Sequence, residues 1–477
     1  MEENKYYHDF DKLIDKEEEN RARRRKSKVR SRILAWVILI SVVVLAFCGG
    51  YFLFSKLLFG QGFKLPERKA SKEPEASVTT GEIVDNISSG EEKIKVDPAD
   101  LKQDAPTEED LYTEALTAYL DTIPIEDKVA GLFMVTPEQL TGAKTVQQAG
   151  QGTKEAFDKY AVGGIVFSDK NIAGADKFKT MISNTQDYSR YPLFLAISEE
   201  SGRGILAGKL KLTSTLREDK VGESGDPQVA SEQAVTIANY LKEYGINCNL
   251  GIVADVLTNA ESKFEKERTF GSDPALCASM TSAMTQAYSQ AGIITALKAF
   301  PGEGEVTENT DGLVTVERSV DEMRSCEFTS FLAGIEAGAD MLVVSHIYAP
   351  NLTGDNEQCS RSKTLMTDLL RIEYGLDDVI IVTDALNKAA IAEYYDSAEA
   401  SITSLKAGAD MVMMPENFPD AYAGVLQAVY DGVISTERVD ASLMRIYRVK
   451  FKGMSIAEIN ELTNSVKANM ASPDKEK

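Results

Sequence analysis

Between Leu111 and Lys452 the chain repeats one pattern: a short apolar, β-branched-rich run, then a stretch with helical periodicity. The runs are Gly131–Val135, Gly163–Phe167, Pro192–Ser198, Cys248–Val256, Ile293–Phe300, Asp340–Ile347, Val379–Leu386 and Asp410–Pro415. Continuous apolar runs of this length suit strands buried on both faces of a parallel sheet. Segments such as Pro227–Gly245 and Val320–Gly338 carry the helical period between them. Eight such units over about 340 residues predict an α/β fold of the (β/α)8 TIM-type barrel class. The rival is a doubly wound open sheet. No GxGxxG follows the first run, which weakens the dinucleotide-binding version of that rival.

In a barrel, chemistry sits at the C-terminal ends of the strands. The runs end on or near Ser198, Asp255, Lys298, His346 and Asp384. A polar residue closing a buried run is costly unless it is paired. Five of them on one rim are more easily explained as a site than as separate accidents. Taken singly, each has a plainer reading: Lys298 as a surface lysine, Asp384 as the N-cap of the following "ALNKAAIAEYY". The stretch "LKAFPGEGEVTENTDG" (Leu297–Gly312) adds a tight Pro-Gly-x-Gly turn followed by hydroxyl and carboxyl side chains. It contains no histidine, and the chain has only two, His8 and His346.

The N-terminal region is different in kind. Ile33–Phe54 supplies 22 residues without a charge, and a spanning helix needs about 20. A cleaved signal peptide has a shorter core of about 7–15 residues nearer the start of a chain, so an uncleaved anchor is expected. The basic run Arg21–Arg32 lies on one side only, which places residues 1–32 in the cytoplasm and the rest outside. Residues 55–110 are polar, charged and poor in aromatics, as a flexible linker is. Residues 453–477 read as a polar tail.

Residues 1–32 carry 11 Lys/Arg against 8 Asp/Glu, a net of +3, so with −22 overall the remainder carries −25. That balance excludes nucleic acid as an expected partner of the barrel. Four of the five cysteines (Cys248, Cys277, Cys326, Cys359) are widely spaced and the fifth, Cys48, lies in the apolar segment. With no CxxC they read as buried thiols, and no metal or cofactor pattern is present.

These residues resemble family 3 glycoside hydrolases of the single-barrel β-N-acetylhexosaminidase type. "IPIEDKVAGLFMVTPEQLTG" (Ile123–Gly142), "NLGIVADVLTN" (Asn249–Asn259), "ERTFGSDP" (Glu267–Pro274), "KAFPGEG" (Lys298–Gly304), "VSHI" (Val344–Ile347), "VIIVTDALN" (Val379–Asn387) and "ISTERVDASLMRIYRVK" (Ile434–Lys450) fall in that family's order. The resemblance implies a retaining hydrolase. Asp384 would be the carboxylate that forms a covalent glycosyl-enzyme, and a second group would protonate the departing oxygen. It puts Lys298, Arg268 and His346 around the sugar, with Ser198 where the family carries a hydroxyl-binding aspartate, and the strand-end position of Asp255 adds it to the expected binding residues.

The resemblance also has gaps. The family loop reads Lys-His-Phe-Pro-Gly-His-Gly, then Asp-Ser-His or Asp-Thr-His, whose last histidine is the acid/base. Here the first histidine is Ala299 and the second is Glu303. An ungapped reading places Asp311 in the acid/base slot, and a one-residue gap places Thr310 there. Asp311 is the first candidate for the proton donor, then Glu308 or Glu305. Two functions follow: a membrane-anchored extracytoplasmic glycoside hydrolase acting on amino-sugar envelope glycans, or a barrel that kept the fold as a glycan-binding scaffold.

Overall fold

In the computed structural model, residues 105–308 and 311–470 are described. The expected anchor (33–54), most of the linker and Thr310 lie outside them. Among the described residues no helix is long and apolar enough to cross a membrane.

Eight strands form one closed parallel barrel in sequence order, which settles the barrel over the open sheet. They are β1 (Phe133–Val135), β2 (Gly164–Phe167), β3 (Phe194–Ile197), β4 (Cys248–Val253), β5 (Ile294–Phe300), β6 (Met341–Val344), β7 (Ile380–Ala385) and β8 (Met411–Met413). Each falls within one of the eight apolar runs. Pairing of Phe133 with Val412 and of Met134 with Met413 closes the ring. The strands are almost wholly buried because helices cover their outer faces.

The helices start where the sequence offers caps. Asp226 accepts from the amide of Gln228, with Pro227 at the first helical position. Asp273 and Pro274 repeat the device. The periodic stretch Val320–Gly338 is two helices, Val320–Ser325 and Glu327–Glu336, broken at Cys326. In the segment expected as a polar tail the chain forms a further helix, Ile456–Met470, with Ile459 and Thr463 buried. Cys248, Cys277 and Cys359 are buried free thiols, and Cys326 is half-buried.

The N-terminal floor of the barrel is tied by charge. Buried Asp410 accepts from the Ile381 amide (2.9 Å), Ser442 Oγ (2.8 Å) and Arg445 (3.1 Å), and pairs with Arg371. Above that floor the ladder is irregular in three places. Register shifts fall between Asn249 and Ile252, between Leu297 and Phe300, and between Val382 and Ala385. Irregularities of this kind turn a strand and re-aim its side chains. Two of the three bracket Lys298 and Asp384.

Candidate active site

All five strand-end residues sit at the C-terminal rim. Ser198 follows β3, Asp255 follows β4, Lys298 is in β5, His346 follows β6 and Asp384 is in β7. The cap reading of Asp384 does not hold. The next helix begins at Ala389 with Lys388 at its N-cap, and Asp384 belongs to the strand.

The Pro-Gly-x-Gly turn after β5 explains itself sterically. Gly302 has φ +136°, and a Cβ there would meet the Glu327 side chain at 2.6 Å. A Cβ on Gly304 would lie 1.7 Å from the Val256 carbonyl oxygen. Only glycine allows that approach, which lets Thr258 and Asn259 donate their amides to the Gly304 carbonyl. Asp255 fastens the same turn. Its buried carboxylate accepts from the amides of Ala299 (3.0 Å) and Glu303 (2.6 Å). Asp255 is thus occupied by backbone and is not on the cavity wall. The residues it holds in place are.

That cavity, of about 120 Å³, is lined by Asp384, Lys388, Lys298, Arg268, His346 and Glu303, with Glu308 and Asp311 on the same wall. Of the expected site residues, Asp384, Asp311, Lys298, Arg268 and His346 are brought together here. Ser198 stands behind Lys298, accepting from its Nζ at 2.8 Å.

The electrostatics are dominated by pairs. Asp384 Oδ1 accepts from the Ala385 amide at 2.7 Å, and Oδ2 accepts from Lys388 Nζ at 2.6 Å. Burial alone would raise the Asp384 carboxyl. The Lys388 ammonium outweighs it and holds Asp384 well below the usual carboxylate range, so it is ionised. Glu200 plays the corresponding part for Arg268 and Lys298. It accepts two bonds from Arg268 (2.9 and 3.0 Å) and pairs with Lys298 at 2.7 Å. Burial pushes it up, but the two cations hold it well below its usual range. Arg268 also donates to Glu265 at 2.6 Å. Both cations expected at the sugar are therefore already paired with a carboxylate of the chain. The neighbouring Glu199 turns the other way, accepting from the amides of Leu206 and Ala207 and from Tyr240 Oη.

His346 is fully engaged. Its Nε2 lies 2.9 Å from the Ala385 carbonyl oxygen, which can only accept, so Nε2 carries the hydrogen. Nδ1 then accepts from Ser360 Oγ at 2.7 Å. Burial pushes the imidazole below its usual value, and it stays neutral. A ring with both nitrogens bonded to protein orients its neighbours and does not shuttle protons to a ligand.

Glu303 is the reverse case. It is half-buried on the cavity wall, and no side chain of the described residues bonds its carboxyl. Burial raises it to about 7, with Asp255 and Asp384 adding to the effect and Lys388 opposing it. Sequence reasoning noted Glu303 only as a replaced histidine, and missed Lys388 and Glu200. Lys388 stands four residues after Asp384, but the turn that follows β7, and not a helix, brings the two together. Helical periodicity therefore gave no signal for it.

The family described as "Glycosyl hydrolase family 3 N terminal domain" matches residues 124–449, well over half of the chain. The chain belongs to glycosyl hydrolase family 3. Among its relatives, the β-hexosaminidase A of Pseudoalteromonas piscicida is 27% identical over 344 residues, 66% of this chain and 57% of that protein. The family 3 barrel thus spans little more than half the length of that relative. The β-hexosaminidase LpqI of Mycobacterium tuberculosis is 25% identical over 332 residues, 68% of this chain and 82% of its own. The crystal structure of a β-N-acetylhexosaminidase from Beutenbergia cavernae superposes with a TM-score of 0.62 at 26% identity, covering 69% of this chain and 98% of that one. The single barrel is therefore the whole of one solved relative and only part of others.

Proposed function

We propose that this chain is a retaining glycoside hydrolase of the β-N-acetylhexosaminidase type, with Asp384 as its nucleophile. The observation that carries this reading is an ionised aspartate at the C-terminal end of β7, on the wall of a rim cavity, in a family 3 barrel. A carboxylate kept charged is ready to attack an anomeric carbon, as a retaining mechanism requires. At about 120 Å³ the cavity is small beside the roughly 300–1,000 Å³ of common ligand sites. It suits one terminal sugar, with the remainder of a glycan in the open mouth. The substrates proposed are amino-sugar glycans of the cell envelope, in keeping with the hexosaminidase names of the relatives. Incubating the full-length chain in detergent with 4-nitrophenyl N-acetyl-β-glucosaminide should release nitrophenolate well above the uncatalysed rate.

One observation favours a second reading, a glycan-binding scaffold. Lys298 and Arg268 are neutralised by Glu200, and Lys388 already bonds Asp384. Failure to release nitrophenolate or to trap any activated glycoside would leave that reading standing.

The membrane anchor is also a proposal. It is supported by the charge-free Ile33–Phe54 segment and the basic Arg21–Arg32 flank. Protease added to intact cells should remove the barrel and spare a tail of about 30 residues on the cytoplasmic side. Full protection of the barrel would refute the topology.

A further inference from the structure

We infer that Glu303 is the proton donor and acceptor of the reaction, an inference that rests on the hydrolase reading of the Asp384 cavity. Four carboxyls line that cavity: Asp384, Glu303, Glu308 and Asp311. Asp384 is the ionised one, held by Lys388 and the Ala385 amide. Glu308 and Asp311 are exposed, and Glu308 faces Lys263 at 3.9 Å. Glu303 alone is half-buried on the cavity wall with a carboxyl unbonded by any described side chain.

Its backbone is as firmly placed as its side chain is uncommitted. The Glu303 amide donates to buried Asp255 at 2.6 Å, and its carbonyl accepts from the Val306 amide at 2.8 Å. Gly302 and Gly304 fit on either side only because they lack a Cβ. The remaining candidates are placed elsewhere: Asp255 is spent on two backbone amides and His346 on Ser360 and Ala385, and Glu265, though its Oε2 is unbonded and burial raises its carboxyl, is wholly buried off the cavity wall. A general acid must hold its proton near neutral pH and release it to the reacting oxygen. A carboxyl raised to about 7 by burial meets that need.

The steps balance. Asp384 Oδ attacks the anomeric carbon while the glycosidic C–O bond breaks. The Glu303 proton passes to the leaving oxygen, and Glu303 becomes a carboxylate. It then takes a proton from water as the water oxygen bonds to the anomeric carbon and Asp384 departs. The donor must be protonated in the free enzyme, so kcat/KM should fall as pH rises through about 7.

The test uses the full-length chain and N-acetyl-β-glucosaminides whose leaving groups run from dinitrophenol to a simple alcohol. Glu303→Gln should lose about 10²–10⁴-fold in kcat/KM on the alkyl glycoside and little in the trapping step on the dinitrophenyl one. Its basic limb near pH 7 should vanish. Azide should restore its turnover of the dinitrophenyl substrate as the glycosyl azide, because azide needs no base. Trapping of the variant by that substrate doubles as the check that it is folded. If Glu303→Gln is not trapped, Glu303→Asp takes its place, and its basic limb should lie at a different pH from that of the parent. The inference is overturned if the limb stays where it was in these variants, or if Asp311→Asn removes it instead. An unsubstituted chain that never forms a glycosyl-enzyme overturns the hydrolase reading itself, a separate outcome.

Discussion

Asp384→Asn is expected to eliminate the covalent glycosyl-enzyme and to lower kcat on aryl glycosides by at least about 10⁴-fold. An amide oxygen is a poor nucleophile and has no charge to offer a cationic transition state. The substitution should be read by mass spectrometry of the chain after exposure to a dinitrophenyl 2-acetamido glycoside. The parent should gain the mass of one sugar on the peptide containing Asp384, and the variant none. The fold should survive. Asn keeps the acceptor for the Ala385 amide, and Lys388, with a side chain 37% exposed, regains water when its partner loses charge. Unchanged thermal midpoints would separate lost chemistry from lost structure. A variant that still acquires the sugar would sink Asp384 as the nucleophile, wherever else the label landed.

The strands and the rim could be read in advance because their causes are local. A strand buried on both faces must be apolar throughout, so each of the eight runs reports its own environment. A polar residue closing such a run needs a partner or a purpose, and Ser198, Asp255, Lys298, His346 and Asp384 all proved to lie at one end of the barrel. What was not legible depends on closure of the ring. Glu200 and Lys298 are nearly a hundred residues apart in the chain, yet they pair at 2.7 Å. Nothing in either segment says that the glutamate will neutralise a lysine expected to face a sugar. Asp255 showed the right type and place, but its two bonds go to the turn after β5 and not to the cavity. Glu303 was seen only as a departure from a histidine. Its place in the cavity that Asp384 also lines depends on a turn whose glycines pack against Glu327 and Val256, and contacts of that kind have no periodicity to betray them. The Val320–Gly338 period hid the break at Cys326, where φ −125° and ψ −86° leave the helical region while the apolar spacing continues.

Lys388→Met is expected to accelerate formation of the glycosyl-enzyme by about tenfold. The reason lies in what attack does to charge. Lys388 Nζ donates to Asp384 Oδ2 at 2.6 Å while Asp384 is an anion. When that oxygen forms an ester its charge is lost, and most of the interaction goes with it. A contact stronger in the ground state than in the transition state raises the barrier. A hydrogen bond between charged groups is worth about 1.5–3 kcal/mol, or roughly 10–100-fold in rate. The lysine side chain is 37% exposed, so solvent screening favours the lower end. The change has a second signature. The Lys388 ammonium lowers the carboxyls of both Asp384 and Glu303. Without it Glu303 keeps its proton to higher pH, and the basic limb of kcat/KM should move above about 7. On the alkyl glycoside the gain should therefore be larger at pH 8 than at pH 5. Stopped-flow release of dinitrophenolate reads the faster attack, and the pH profile of kcat/KM on the alkyl glycoside reads the shifted limb. A slower burst, with the limb unmoved, would mean that Lys388 holds the carboxylate in its attacking orientation, and the brake described here would not exist.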